Sequence, residues 1–177
     1  SLAARLAHMF MTEIVHNCSH GIDLHTGAIH RTNLPQIRAN LDDPETARLA
    51  EAFGVPVLIN ANIRDGSLRG AAAELGTPML LYEAGEALRF DEVSIRAGVK
   101  GIIKVMRSLE MLPPTRSRRK ILHEPFVARS SSWVRASASG LFRKVYGLGS
   151  RVKRGEVLGL IDDAVGGEES EVIATFS

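Results

Sequence analysis

The sequence predicts an α/β fold with a mostly parallel sheet and flanking helices, followed by a small β module. Two observations carry that prediction. Over residues 1–112, amphipathic helical segments alternate with short apolar runs, the pattern of strands joined by helical crossovers. From Phe126 onward, glycine-punctuated segments of alternating polarity replace them, as in a set of short antiparallel strands.

The elements follow in order. Leu2, Leu6, Phe10 and Ile14 recur at four-residue spacing, widened by Met9 and Val15, which predicts a helix with one buried face and Ser1 as a candidate N-cap. GIDLH (21–25) then reads as a short strand. Residues 26–43 keep no sustained period and are expected to form a long loop. Pro44 and Glu45 open a second helix that Gly54 closes at the position favouring a left-handed cap. VPVLIN (55–60) is a continuous apolar run, as expected of a strand covered on both faces. A short helix capped by Ser67 and ended before Gly76 precedes a second buried strand, TPMLLYEAG (77–85). The long helical stretch from Phe90 to Leu112 presents Val93, Ile95, Val99, Ile102, Ile103 and Met106 as its apolar face. Pro113 and Pro114 end it, and residues 113–124, with Arg116, Arg118, Arg119 and Lys120, read as a basic linker. The β module is expected over 125–177, broken off within a strand at its C-terminus. Its stretch SGLFRKVYGLGSRVKRGEVLGLIDD resembles half of a biotinyl/lipoyl-type sandwich. The region where such carriers hold their modified lysine reads GGEESEV, so a carrier role is unsupported.

Composition removes several functional classes. A net charge of +2 over 177 residues gives no global attraction to nucleic acid. The basic linker lacks interleaved aromatics and reads as a solvated hinge. No apolar run reaches membrane-spanning length, and no signal-peptide pattern is expected in the stretch that opens the sequence. A single cysteine, Cys18, excludes an internal disulfide framework and fits a reducing compartment, so the expected location is cytoplasmic.

Chemistry-bearing residues concentrate early. Five of the six histidines lie within the first 30 residues. His16, Cys18 and His20 alternate, and in an extended segment imidazole and thiolate on one side would suit zinc. The competing reading is a polar helix terminus, since no established zinc spacing matches. Asp23 and His25 are different, because residues i and i+2 of a strand share a face. At the carboxyl end of a strand in an open α/β sheet, where ligands bind, His25 can offer one ring nitrogen to a metal while a carboxylate orients it. A satisfied core histidine is the equal alternative. Glu83 sits at the rim of the apolar strand TPMLLYE, where a carboxylate is costly to bury unless paired or used. Beside a metal-bound water it is a natural general base; otherwise it turns out to solvent.

The segments SLAARLAHMF, GIDLHTG, NLPQIRANL and DGSLRGAAAELGTPMLLYEAGE, followed by a β module, resemble the succinylglutamate desuccinylase/aspartoacylase family. These are zinc amidohydrolases of zinc-carboxypeptidase-like fold. The likeness covers most of the chain, and the DLH-T-G and YEAGE segments are its specific parts. It implies that residues 1–112 are a partial α/β catalytic domain, that His25 is the third zinc ligand, that Glu83 is the catalytic base and that Arg69 steadies substrate or oxyanion charge. It further implies that the loop after His25 walls the pocket, with Arg31, Asn33 and Arg38 as candidate substrate contacts; ordinary loop solvation is the competing reading for each. The family's first two ligands come from an H-x-x-E motif, followed by an Asn-Arg pair, and no histidine here has a glutamate three positions later. The chain is therefore expected to be an internal fragment that begins just downstream of that motif.

The reading that results is a zinc-dependent hydrolase acting on a small N-acylated amino acid or similar amide, with one Zn2+ per full-length chain. No nucleic-acid or membrane partner is expected, and homo-oligomerisation stays open. A metallocarboxypeptidase-like peptidase and a non-catalytic binding module are the alternatives.

Overall fold

A computed structural model describes residues 1–62, 66–115, 124–167 and 169–176. It divides into two compact units, residues 1–130 and 131–177. The first contains helices α1 (Leu2–Glu13), α2 (Pro44–Phe53), α3 (Leu68–Glu74) and α4 (Glu92–Ser108). Its strands are β1 (Gly21–Gly27), β2 (Asn33–Ala39), β3 (Val57–Asn60), β4 (Met79–Glu86) and β5 (Phe126–Ala128). They form one sheet in the order β1-β4-β2-β3-β5. The β1–β4, β2–β3 and β3–β5 pairs are parallel and β2–β4 is antiparallel, so the sheet is mostly parallel as expected.

Local signals place most boundaries. Ser1 Oγ accepts from Ala4 N, Asp43 from Thr46 N and Ser67 from Gly70 N, each satisfying a donor the first helical turn leaves open. Gly54 ends α2 in the left-handed region at φ 77°.

The two faces of the sheet are covered unequally. On one, Ile37, Ala39, Leu58, Leu80, Tyr82 and Ala84 pack with Leu49, Ala50 and Phe53 of α2 and Val105 of α4. On the other, Met79 at the start of β4 meets Val15 and Ala72, with Met11 and Leu68 beside them. Leu80 and Met79 are consecutive, so they fall on opposite faces. Among the described residues, α3 and the end of α1 thus cover the second face near the start of β4.

Several expectations require correction. The long loop predicted over 26–43 contains strand β2. Ile37 and Ala39 are fully buried there, with Gln36 and Arg38 alternating to the other side. The apolar stripe of α1 is not buried: Leu2, Leu6, Phe10 and Ile14 are exposed, and the chain turns inward through Met11 and Val15. On α4, Val93, Ile95 and Val99 are exposed, while the buried seam is Gly98, Gly101 and Val105. The reason is close approach of aromatic rings. A Cβ at Gly101 would lie 2.0 Å from Phe53 Cε1, and one at Gly98 would lie 3.0 Å from Tyr82 Cε1. Those rings stack at 5.1 Å, and Tyr82 Oη donates to Ser94 O at 2.6 Å. Finally, Phe126–Ala128, expected in the β module, pair with Val57–Ile59 in the main sheet. The basic residues Arg116, Arg118, Arg119 and Lys120 lie outside the described residues.

The second unit is a three-stranded antiparallel sheet of β6 (Leu141–Lys144), β7 (Val157–Asp162) and β8 (Ser170–Ile173), in the order β6-β7-β8. Among the described residues, Ile161, Val172 and Ala174 are its buried hydrophobic side chains. Phe142 lies over Gly159, where a Cβ would come within 2.3 Å of the ring.

Candidate active site

The less-covered face carries a polar row across three strands. His25 pairs with Glu83, and Glu83 pairs with Gln36 on its other side. Paired residues on neighbouring strands, about 4.8 Å apart, point to the same face. One step toward the starts of β1 and β4, and toward the end of the antiparallel β2, Asp23, Leu81 and Arg38 form a second row. This is the face of Met79 and Glu83, opposite the packed core.

Hydrogen bonds fix the orientation of these groups. His25 Nε2 lies 3.0 Å from Asp23 Oδ2. An ionised carboxylate only accepts, so with Asp23 charged Nε2 carries the proton and Nδ1 keeps its lone pair. The His25 side chain is 47% exposed, so that lone pair is within reach of a ligand. Asn33 Nδ2 donates to Glu83 Oε1 in a short contact, which holds one carboxylate oxygen and leaves the other.

Of the residues predicted from sequence, the structure brings His25, Glu83, Asn33 and Arg38 onto one face. Asn33, expected at the substrate, has its amide on Glu83. Arg31 is in the exposed turn before β2, where its N–H donates to Ala28 O at 3.0 Å. Arg69 opens α3, over the same face, and its Nη2 donates to Asn62 O at 2.8 Å. The His16, Cys18, His20 cluster does not converge. Residues 15–17 form a 3-10 turn, and His20 places Nε2 at 3.2 Å from Glu45 Oε1 and Nδ1 at 3.0 Å from Ser19 Oγ. The Glu45 carboxyl is held down at about 2, first by its bonds from Arg48 and then by His20. A cavity of about 840 Å3 between α1 and α3, lined by Phe10, Met11, Leu68 and Ala71, holds none of the predicted site residues.

Zinc, implied by the sequence resemblance, fits His25 as one ligand: a carboxylate-held imidazole with its second nitrogen open is the usual form of a metal-binding histidine. Among the described residues, no group of three or more His, Cys, Asp or Glu is placed to hold a metal ion.

Comparison with known proteins decides the family. Residues 1–109 match the model of the succinylglutamate desuccinylase/aspartoacylase catalytic domain. The chain belongs to this family. No curated protein matches it. Among solved structures, a succinylglutamate desuccinylase/aspartoacylase from Rhodobacter sphaeroides is similar at 22% identity and TM-score 0.82, covering 99% of this chain and 56% of that one. The ectoine utilization protein EutE (DoeB) from Ruegeria pomeroyi is similar at 20% identity and TM-score 0.83, covering 99% and 58%. The chain thus spans little more than half the length of these neighbours.

Within this desuccinylase/aspartoacylase domain, sequence reasoning overlooked Gln36, the third member of the polar row. The signal was present: Gln36 and Arg38 alternate with buried Ile37 and Ala39. Pro35, unable to donate to a sheet ladder, masked it.

Proposed function

We propose that the chain carries one part of a zinc-dependent hydrolase site that cleaves the amide of an N-acylated amino acid or a similar small amide. Zinc, when bound, polarises an acyl carbonyl and makes its water acidic enough to be used as a nucleophile at neutral pH. His25 supplies one ligand nitrogen, Nδ1, with its ring angle set by Asp23. Glu83 takes the proton from the attacking water and returns it to the leaving nitrogen as the carbon–nitrogen bond breaks and the new carbon–oxygen bond forms. Asn33 keeps the Glu83 carboxylate turned by holding Oε1. Arg38, one row behind, and Arg31, in the adjoining turn, offer positive charge to an anionic substrate group. Arg69 steadies charge from α3.

The observation that supports this reading is the pairing of His25 with Glu83 on adjacent strands. The test is Glu83→Gln in a chain extended to the length of its structural neighbours, loaded with zinc. It is assayed on N-succinyl and N-acetyl amino acids, with dipeptides as the peptidase control. Loss of about 10²–10⁴-fold in kcat is expected, with zinc content unchanged. Full activity of the variant would remove Glu83 from the chemistry, and preference for dipeptides would favour a carboxypeptidase-like peptidase.

A further inference from the structure

The family segment YEAGE contains a second glutamate, Glu86, to which the reading above gives no role. In a regular strand, residues three apart lie on opposite faces. Here β1 advances from His25 to Gly27 while β4 advances from Glu83 to Glu86, so β4 carries one extra residue. That bulge reverses the alternation and returns Glu86 to the side of Glu83. Gly85 makes it possible: its φ is 64°, and a Cβ there would lie 2.9 Å from Ser94 Oγ.

Glu86 uses that position to hold the β1–β2 turn. Its Oε1 accepts from His30 N at 3.1 Å and its Oε2 from Thr32 Oγ1 at 3.2 Å. His30 is itself in the left-handed region, at φ 62°, so the turn takes a shape that its sequence does not favour unaided. The turn also folds back against Gly27, where a Cβ would come within 2.1 Å of Arg31 O and 3.0 Å of Asn33 Nδ2. The residue that follows Thr32 is Asn33, whose amide sits on Glu83.

We infer that Glu86 is a positioning residue: by clamping His30 and Thr32 it seats Asn33 on the Glu83 carboxylate. Its consequence for turnover rests on the hydrolase reading; the clamp itself does not. The clamp is a matter of geometry rather than charge. Glutamine can accept from His30 N–H through its carbonyl oxygen and donate to Thr32 Oγ through its amide.

The test compares Glu86→Ala, Glu86→Gln and Thr32→Val with wild type. Nuclear magnetic resonance of the 177-residue chain reads two signals: hydrogen exchange of the His30 amide and the side-chain amide shifts of Asn33. Glu86→Ala should speed His30 exchange at least tenfold and move the Asn33 amide to the position of a free side chain, while core amides such as Leu80 stay protected. Glu86→Gln should restore both signals. Thr32→Val, which leaves β4 intact, should shift Asn33 in the same direction by less, and it decides the matter if Glu86→Ala fails to fold. An unmoved Asn33 amide in Glu86→Ala, or in Thr32→Val in that case, overturns the inference. In the extended zinc enzyme, kcat should fall about tenfold or more in Glu86→Ala and recover in Glu86→Gln. Equal kcat in all three, with activity present, would also overturn it. Absence of activity from wild type would count against the hydrolase reading alone, and the Asn33 signal would still decide the clamp.

Discussion

Along β4, Leu80, Tyr82 and Ala84 face α2 and α4 and are buried, while Leu81 and Glu83 face the open side beside Asp23, His25, Gln36 and Arg38. The same eight residues therefore serve two ends. One face is closed by aromatic rings packed over glycines; among the described residues, the other is closed near the start of β4, by Met79, Val15 and Ala72. The contrast teaches that packing and the polar row are separable here at single-residue resolution. A two-residue period assigns every second side chain to each task, and a single bulge at Gly85 is enough to move Glu86 from one to the other.

The largest effect on stability should come from the packed face. Phe53 is 1% exposed and lies between Tyr82 and Gly101. Phe53→Ala should cost about 3–5 kcal/mol, seen as a lower urea midpoint at unchanged slope. Glu83→Gln, one residue beyond the ring's partner, should cost no more than about 0.5 kcal/mol in the same titration. Comparable losses from the two variants would mean that the polar row is part of the core, and the separation of faces would fail.

The open face should respond in the opposite way. Asp23→Asn leaves the strand pattern intact and removes only the carboxylate on His25 Nε2. In the extended chain, zinc affinity measured calorimetrically should fall about 10–100-fold, as for loss of other groups that orient a ligand histidine. Stability of the 177-residue chain should change by about 0–1 kcal/mol, because the pair is partly exposed and screened. Unchanged affinity would mean that Asp23 does not set the ring.

How much of this was legible in the sequence depends on how local its cause is. Helix caps were readable at Ser1, Ser67 and Gly54 because a cap is settled within four residues. β3 and the buried half of β4 were readable as apolar runs. β2 was not: Pro35 interrupts it, and what makes it a strand is pairing with β3 and β4, whose partners are distant in sequence. Burial of the apolar stripe on α1 was expected from periodicity, yet periodicity reports only which residues share a face, and the described residues bury only its continuation at Val15. The α4 seam was hidden for the reverse reason, since counting large apolar residues passes over Gly98 and Gly101, which matter for the space they leave. In the site, Asp23 with His25 and the lone Glu83 were visible as strand-end patterns. Gln36 needed the unseen strand, and Glu86 needed the bulge.

The smallest effect returns to the packed face, at the start of the helix that delivers Phe53. Asp43 Oδ1 accepts from Thr46 N at 2.8 Å and from Thr46 Oγ1 at 2.5 Å, and Thr46 is 4% exposed. The bond from the Thr46 hydroxyl, and after it the one from the backbone, favour the charged carboxylate and hold Asp43 below its ordinary value of 3.8. A depressed folded-state value means that the unfolded chain binds the proton more readily. The contribution is therefore complete above about pH 4 and is lost as the pH falls through the folded-state value, below 3.8. Asp43→Ala should cost about 1 kcal/mol at pH 7, the usual worth of an N-cap. Urea titrations of both proteins should converge only in the acid range. If the difference instead persisted undiminished at the acid end, the loss would come from the orphaned Thr46 hydroxyl rather than from the charge of the cap. The packed face would then depend on a neutral hydrogen bond where the open face depends on ionised groups.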